Sequence, residues 1–294
     1  MEFNKDDFIV YTSLIGENEG LNKQPFLQHS GIRHVCLTDD KNLISNDWEI
    51  IYVDRIFPND CYRSQRNFKI RPHLIFPNYK YSLYLDNTIV LKKKTDDFIN
   101  MILNDQFAND KDPLFLIPYH SQFNLINEFN ACLTNNLDNQ IRLYEQFNDY
   151  LKTDINLFKK SAYWGGILLR NHNHKEIISL SEIWFAHICR YSRRDQLSII
   201  HACSQSKVKL KGFKLNNASS EFHKWPITKN KRKNRQYINK HIDLIPYDIV
   251  ESLSNSLQKK EKEIIALNKD LKKISLFNPI YIIKIIFNKI KTFI

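Results

Sequence analysis

The residues of this chain that could do chemistry lie in three places. The first is Asp86, at the end of the apolar, aromatic run YSLYLDNTIVL (81–91). An unpaired carboxylate is expensive to bury, so it belongs at the lip of a sheet and not inside it. There it either closes an Asp-Asn turn or binds something. A hard divalent cation takes oxygen ligands and bridges a carboxylate to phosphates, and Thr88 offers a second oxygen two residues on. The second place is CYRSQRNFKIRPHLIFPN (61–78), where Arg63, Arg66 and Lys69 recur at the spacing of one helical face. Such a face is either solvated or able to neutralise a polyanion. The third is SRRDQLS (192–198), in which Asp195 and Gln196 open a helix, where the helix dipole favours a carboxylate. The bland reading is that Asp195 caps its helix and Arg193 or Arg194 forms a surface ion pair.

The elements that must position these residues follow from pattern. FIVYTSLIG (8–16), IRHVCLTDD (32–40), WEIIYVDR (48–55) and YSLYLDNTIVL (81–91) are rich in β-branched and aromatic residues and are separated by polar turns, as strands are. The segment 61–78, with its helical spacing of basic residues, lies between the third and fourth. Strands alternating with helices predict an α/β domain with a mixed, mainly parallel sheet flanked by helices. Ligands of such sheets sit at the carboxyl ends of the strands, where Gly16, Asp39, Asp40 and Asp86 fall. Residues 95–160 read as helices, including TDDFINMILNDQF and NLINEFNACLTNN. SAYWGGILLRNHNH (161–174) reads as a turn and a strand. Residues 179–206 read as two helices joined at Ser192–Arg194.

The composition bounds the function. The chain has 294 residues, enough to bury a real core, and a formal charge of +11 that favours an anionic partner: nucleic acid, an anionic membrane surface or a phosphorylated ligand. Its five cysteines are scattered with no CxxC pair, which argues against a zinc ribbon or a disulfide framework and for reduced thiols. The first residues carry acids where an export signal needs positive charge, so they read as a strand in a cytoplasmic protein. No run is long and apolar enough to span a bilayer.

The expected organisation is a domain over 1–206, a basic loop or tail over 207–248 that completes it, and a helical extension over 249–294. In the extension, Leu253, Leu257, Ile264, Leu267 and Leu271 form a heptad-like series that predicts a helical hairpin or coiled coil, through which two copies could pair. NPIYIIKIIFNKIKTFI (278–294) predicts a basic amphipathic helix lying in an anionic membrane interface, against the alternative of packing on the protein's own core.

The order of motifs resembles one family. YTSLIG, VCLTDD, Arg66–Lys69–Pro72–His73, YSLYLDNTI, HSQFNLINE, ILLRNHN and SRRDQLS together are similar to a bacterial and plant family long classed as a domain of unknown function and related to plant mucilage and pectin galacturonosyltransferase-like proteins. The likeness runs over about 8–205. It implies a GT-A-type glycosyltransferase, which moves a hexosyl or uronosyl residue from a nucleoside-diphosphate donor, with UDP expected, to a glycan or lipid-linked acceptor. Synthesis of a surface polysaccharide, capsule or lipopolysaccharide, at the inner face of the cytoplasmic membrane follows as an expectation.

By that resemblance Tyr11, Thr12 and Gly16 line the donor nucleotide, and Thr38, Asp39 and Asp40 lie near its base or ribose. Arg66 and Lys69 face the diphosphate. Asp86 holds a metal or the donor sugar, His120 and Glu128 form an H…E pair, and Arg170, Asp195 and Gln196 border the sugar and acceptor. The D-Q pair implies retention of configuration. The implied cofactor is a divalent ion, Mn²⁺ or Mg²⁺, on Asp86, Thr88 and a late ligand, His223. Thr88 departs from the family's Asp-x-Asn, and its neutral hydroxyl leaves Arg63, Arg66 and Lys69 to neutralise the diphosphate. Trp164, beside Gly165 and Gly166, is either core or a sugar-stacking wall.

Two other classes remain on the residues alone. A basic nucleic-acid-binding protein would use KNKRKNRQY (229–237), although no recognised nucleic-acid motif occurs. A non-catalytic glycan or lipid scaffold would have kept the fold and lost the metal site.

Overall fold

A computed structural model describes residues 4–16, 20–103, 112–227 and 247–276. It comprises two compact units, Met1–Ile242 and Asp243–Ile294. In the first, strands β1 (Phe8–Leu14), β2 (Arg33–Thr38) and β3 (Glu49–Tyr52) precede helix α1 (Cys61–Ile70). Then come β4 (Tyr81–Leu85), β5 (Val90–Leu91), α2 (Thr95–Leu103), β6 (Phe115–Asn124), α3 (Leu125–Thr134) and α4 (Gln140–Thr153). The unit continues with β7 (Ser161–Tyr163), β8 (Ile167–Arg170), α5 (Lys175–Arg190), α6 (Asp195–Ser206), β9 (Lys211–Phe213) and β10 (His223–Lys224).

The eight-stranded sheet runs β3-β2-β1-β4-β8-β6-β7, with β9 beside β6. Its first four strands are mutually parallel, β8 is antiparallel to both β4 and β6, and β9 is parallel to β6. Central strands covered on both faces need continuous apolar runs, and β1 and β4 supply them: every residue of YSLYL is buried, as is all of FIVYTSL except its last residue. The chain leaves β1 toward β2 and β3, then returns to the other side of β1 as β4. That reversal is a topological switch point, and it opens a crevice outside the carboxyl ends of β1 and β4.

Three expectations change. The 81–91 strand breaks at Asp86, whose N–H donates to the Gly166 carbonyl (2.8 Å) while its own carbonyl accepts the Ile89 N–H (2.8 Å). The chain resumes as β5 in a separate pair with β10. The span read as purely helical contains β6, a central strand whose pattern is interrupted by Pro118. Pro118 lies beside a register shift between Tyr119 and Asn124 in the pairing with β7, an irregularity of the kind that admits proline, and its carbonyl accepts the Trp164 N–H (2.8 Å). The basic stretch is not all loop: β9 extends the main sheet and β10 pairs with β5, while residues 228–246 lie outside the described ones.

In the second unit, α7 (Tyr247–Leu276) is one continuous helix of 30 residues. It contains no Gly or Pro to break it. The expected interfacial helix over 279–294 lies outside the described residues.

Candidate active site

A cleft of ≈ 350 Å³ opens at the switch point, between Ser13–Gly16 after β1 and Asp86–Thr88 after β4, and is walled by Gln65, Arg66, Lys69, Trp164–Gly166, Arg193–Gln196 and Trp225. Its centre is Lys69. The Nζ lies 2.6 Å from Asp195 Oδ2 and 3.4 Å from Asp86 Oδ1, and Arg66 Nε lies 3.4 Å from Asp195 Oδ1. Lys69 and Asp195 are buried, whereas the Asp86 side chain is 31% exposed. Asp86 is therefore the open member of the trio. The turn and the binding roles of Asp86 coexist: its backbone closes the turn and its carboxylate faces the cleft.

Local structure explains each placement. Asp60 caps α1 by accepting the Arg63 N–H (2.9 Å). The helix buries Ser64, Asn67, Phe68, Lys69 and Ile70, so Lys69 points inward. Asp195 occupies the first turn of α6, where the dipole favours its charge. Burial pushes its carboxyl up, but the Arg66 and Lys69 charges outweigh burial and hold it well below the usual carboxylate range. It stays ionised at neutral pH. Tyr84 donates to Asp86 Oδ1 (2.9 Å) and accepts from Gln65 Nε2 (2.7 Å), which also donates to Ser13 Oγ (3.0 Å). Burial and the Asp86 charge raise the Tyr84 hydroxyl well above its ordinary value, so it remains a donor.

Gly165 is where the pair requires a glycine. A Cβ there would stand 2.9 Å from Asp195 Oδ2 and 3.2 Å from Lys69 Nζ. Gly165→Ala is expected to force the ion pair apart and slow any reaction that this cleft carries out by about 10²-fold, the loss typical of misplacing a catalytic group by an ångström. Its thermal midpoint should fall by only a few degrees. Unchanged turnover in the variant would show that the Lys69–Asp195 geometry does not matter.

Of the residues singled out in the sequence, Gly16, Arg66, Lys69, Asp86, Thr88, Asp195 and Gln196 meet in the cleft, together with His120 and Glu128. Tyr11 and Arg170 do not. Both are fully buried beneath it, where Tyr11 donates to the Lys69 carbonyl (2.9 Å) and Arg170 Nη2 donates to the same carbonyl and to Tyr11 Oη (2.7 Å). The reason is topological: β8 runs antiparallel, so Arg170 pairs with Ser82 at the start of β4, away from the crevice. Burial raises the Tyr11 hydroxyl to about 12, with Arg170 opposing it. These two residues anchor the backbone of Lys69 and do not line the cleft.

Thr12 is buried inside β1. Thr38 is buried and accepts the Asp40 N–H (3.1 Å), while Asp40 is exposed and accepts the Asn42 N–H (2.9 Å). Asp39 pairs with Arg55 and accepts the N–H of Gly16 (2.9 Å), whose φ of 88° suits glycine. Asp39 thus shapes the rim through Gly16, and neither Thr12 nor residues 38–40 line the cleft. Arg63 faces neither; it donates to the Ile188 and Tyr191 carbonyls (2.9 Å each) at the end of α5.

The proposed metal ligands do not form a set. Thr88 Oγ1 accepts the Trp225 indole N–H (3.0 Å). His223 is buried away from the cleft lining, with Nε2 3.1 Å from the Asn217 carbonyl and Nδ1 2.8 Å from Ser220 Oγ. Among the described residues no three His, Cys, Asp or Glu side chains converge as a metal site. The donor set does not fit an ion held by Asp86, Thr88 and His223, and the cations that line this cleft are Arg66, Lys69, Arg193 and Arg194.

The sequence reading missed four wall residues. Arg194 reaches Gln196 Oε1 (3.0 Å) and Glu128 Oε1 (3.5 Å), and Arg193 stands over the Tyr62 ring at 4.1 Å. Their adjacency to Asp195 was the available signal. Trp225 packs edge-on against Trp164 (5.1 Å) and had no signal, being within the basic stretch. Gln65, one position before Arg66, reads as an ordinary polar helix residue.

The family model described as "TOD1/MUCI70, glycosyltransferase-like domain" matches residues 28–224. No curated protein matches the chain. Among solved structures, the apo form of the WbbM bifunctional glycosyltransferase is similar with a TM-score of 0.38 and 9% identity; the likeness covers 65% of this chain and 36% of that longer one.

Proposed function

The chain belongs to the TOD1/MUCI70 glycosyltransferase-like family, and on that premise we propose that it transfers a sugar from a nucleoside-diphosphate donor, UDP in the first instance, to a glycan or lipid-linked acceptor. The observation that carries the reading is Lys69 held between a buried Asp195 and an open Asp86 at the switch point of the sheet.

The chemistry needs a departing diphosphate to be stabilised as its bond to the anomeric carbon breaks, and preorganised cations do this most effectively in a water-poor cleft. Lys69 and Arg66, with Arg193 and Arg194 on the facing wall, supply those cations. Asp195 fixes Lys69 and Arg66 in place. Its low proton affinity makes it a poor general base, which is compatible with retention of configuration. Asp86 exchanges its contact with Lys69 for the donor. The resemblance of the motif order points to a surface-polysaccharide precursor as the acceptor. The apolar, lysine-bearing sequence of residues 279–294 supports an anionic membrane surface as the place where the acceptor is met.

The test is release of free nucleoside diphosphate from a panel of UDP-, GDP- and ADP-sugars, with and without Mn²⁺ or Mg²⁺. One donor class is expected to turn over, and Asp86→Ala is expected to slow it at least ~10²-fold. A wild-type protein that binds and turns over no member of the panel would overturn the reading.

A further inference from the structure

Helix α7 carries a pattern that the cleft does not use. Counting from Val250, positions 250, 253, 257, 260, 264, 267, 271 and 274 alternate steps of three and four for four heptads; they read Val, Leu, Leu, Lys, Ile, Leu, Leu, Ile. Seven of these eight seam positions are apolar, and Lys260 alone breaks the series. A sustained period of 3.5 along a single continuous helix marks a supercoiled helical partner, not a globular core, whose contacts follow 3.6. The helix is not satisfied within itself: Ile264 is 55% and Leu267 62% exposed.

The flanking charges select the partner. Glu261, Glu263 and Asp270 border the seam, whereas Lys259, Lys262, Lys269, Lys272 and Lys273 fall at the outer heptad positions. An anionic bilayer requires the reverse, with lysines bordering the apolar face. A second copy in parallel register meets no like-charge pair at the seam edges. Ser256 faces Glu261 of the partner subunit, Glu263 faces Asn268 of the partner subunit, and Asp270 faces Ser275 of the partner subunit. We propose that α7 pairs with α7 of a second copy as a parallel two-stranded coiled coil, making the protein a homodimer, with Lys260 as the position that weakens the seam.

The experiment is sedimentation or light scattering of the full chain from about 1 to 100 µM, a range over which a reversible dimer shifts with concentration. Wild type is expected to be dimeric at the upper end. Leu257→Glu/Leu267→Glu is expected to be monomeric throughout, with the thermal transition of the first unit unchanged, because the substituted side chains lie on α7 alone. Lys260→Leu is expected to tighten the dimer at least tenfold. A wild type that stays monomeric would overturn the proposal, whether its stripe is covered by the chain's own residues 279–294 or by a different protein. So would a double variant that still dimerises.

Discussion

Lys69→Met is expected to lower nucleotide-sugar turnover by about 10²–10³-fold and to destabilise the first unit by about 3 kcal/mol. The first figure is that of removing one preorganised donor from a charge-stabilising site. The second is at the lower end for breaking a buried ion pair, because Arg66 still stands 3.4 Å from the stranded Asp195 carboxylate. Lys69→Arg does not rescue activity. The ammonium fits within 2.6 Å of Asp195 under the bare backbone of Gly165, and a planar guanidinium is too wide for that gap. Turnover within tenfold of wild type in Lys69→Met, measured on folded protein, would remove Lys69 from the mechanism.

The second large effect is acid sensitivity. His34, 2.9 Å from Thr95 Oγ1, is pushed down to about 4 by burial. His172, 2.9 Å from the Phe76 carbonyl, is likewise pushed down to about 4 by burial, with the Arg170 charge adding to it. Both are buried neutral, whereas in the unfolded chain they take a proton near 6.5. Their contribution to stability is therefore complete above about pH 6.5 and is lost as pH falls toward 4. Each amounts to about 3 kcal/mol, a large share of the ~5–15 kcal/mol that holds a domain together. Urea midpoints at pH 7.5, 5.5 and 4.5 should fall monotonically, and His34→Gln should flatten the trend. A midpoint independent of pH across that range would mean that the two imidazoles titrate normally in the fold.

What was legible in the sequence was whatever depended on local pattern. The apolar runs of β1, β2 and β4, the helical spacing of Arg66 and Lys69, and the helix start at Asp195 each follow from neighbours along the chain. Their meeting followed from the parallel-sheet rule, which places strand ends at one edge. What failed depended on direction or on distant partners. Arg170 ends a strand as Asp86 does, but β8 runs the other way, so the same local sign put it at the opposite edge. No periodicity announces that reversal. Strand β6 was hidden by Pro118, which sits beside a register shift in the pairing with β7, a strand more than 40 residues away. Residues 207–227 looked like a basic tail because their few apolar anchors, Phe222 and Trp225, acquire meaning only against Phe98, Trp164 and Thr88. His223 was a reasonable late ligand by chemistry, yet both ring nitrogens are already engaged within its own loop by Asn217 and Ser220.

The central claim is that the cations around Lys69 receive a diphosphate. Calorimetric titration of wild type and Lys69→Met with UDP, UMP and uridine tests it most directly, repeated with the GDP and ADP series. In the series that binds, affinity should rise steeply from nucleoside to monophosphate to diphosphate in wild type, and the diphosphate increment should vanish in Lys69→Met. Equal affinity for nucleoside and diphosphate, or a diphosphate increment that survives the loss of Lys69, would contradict the account.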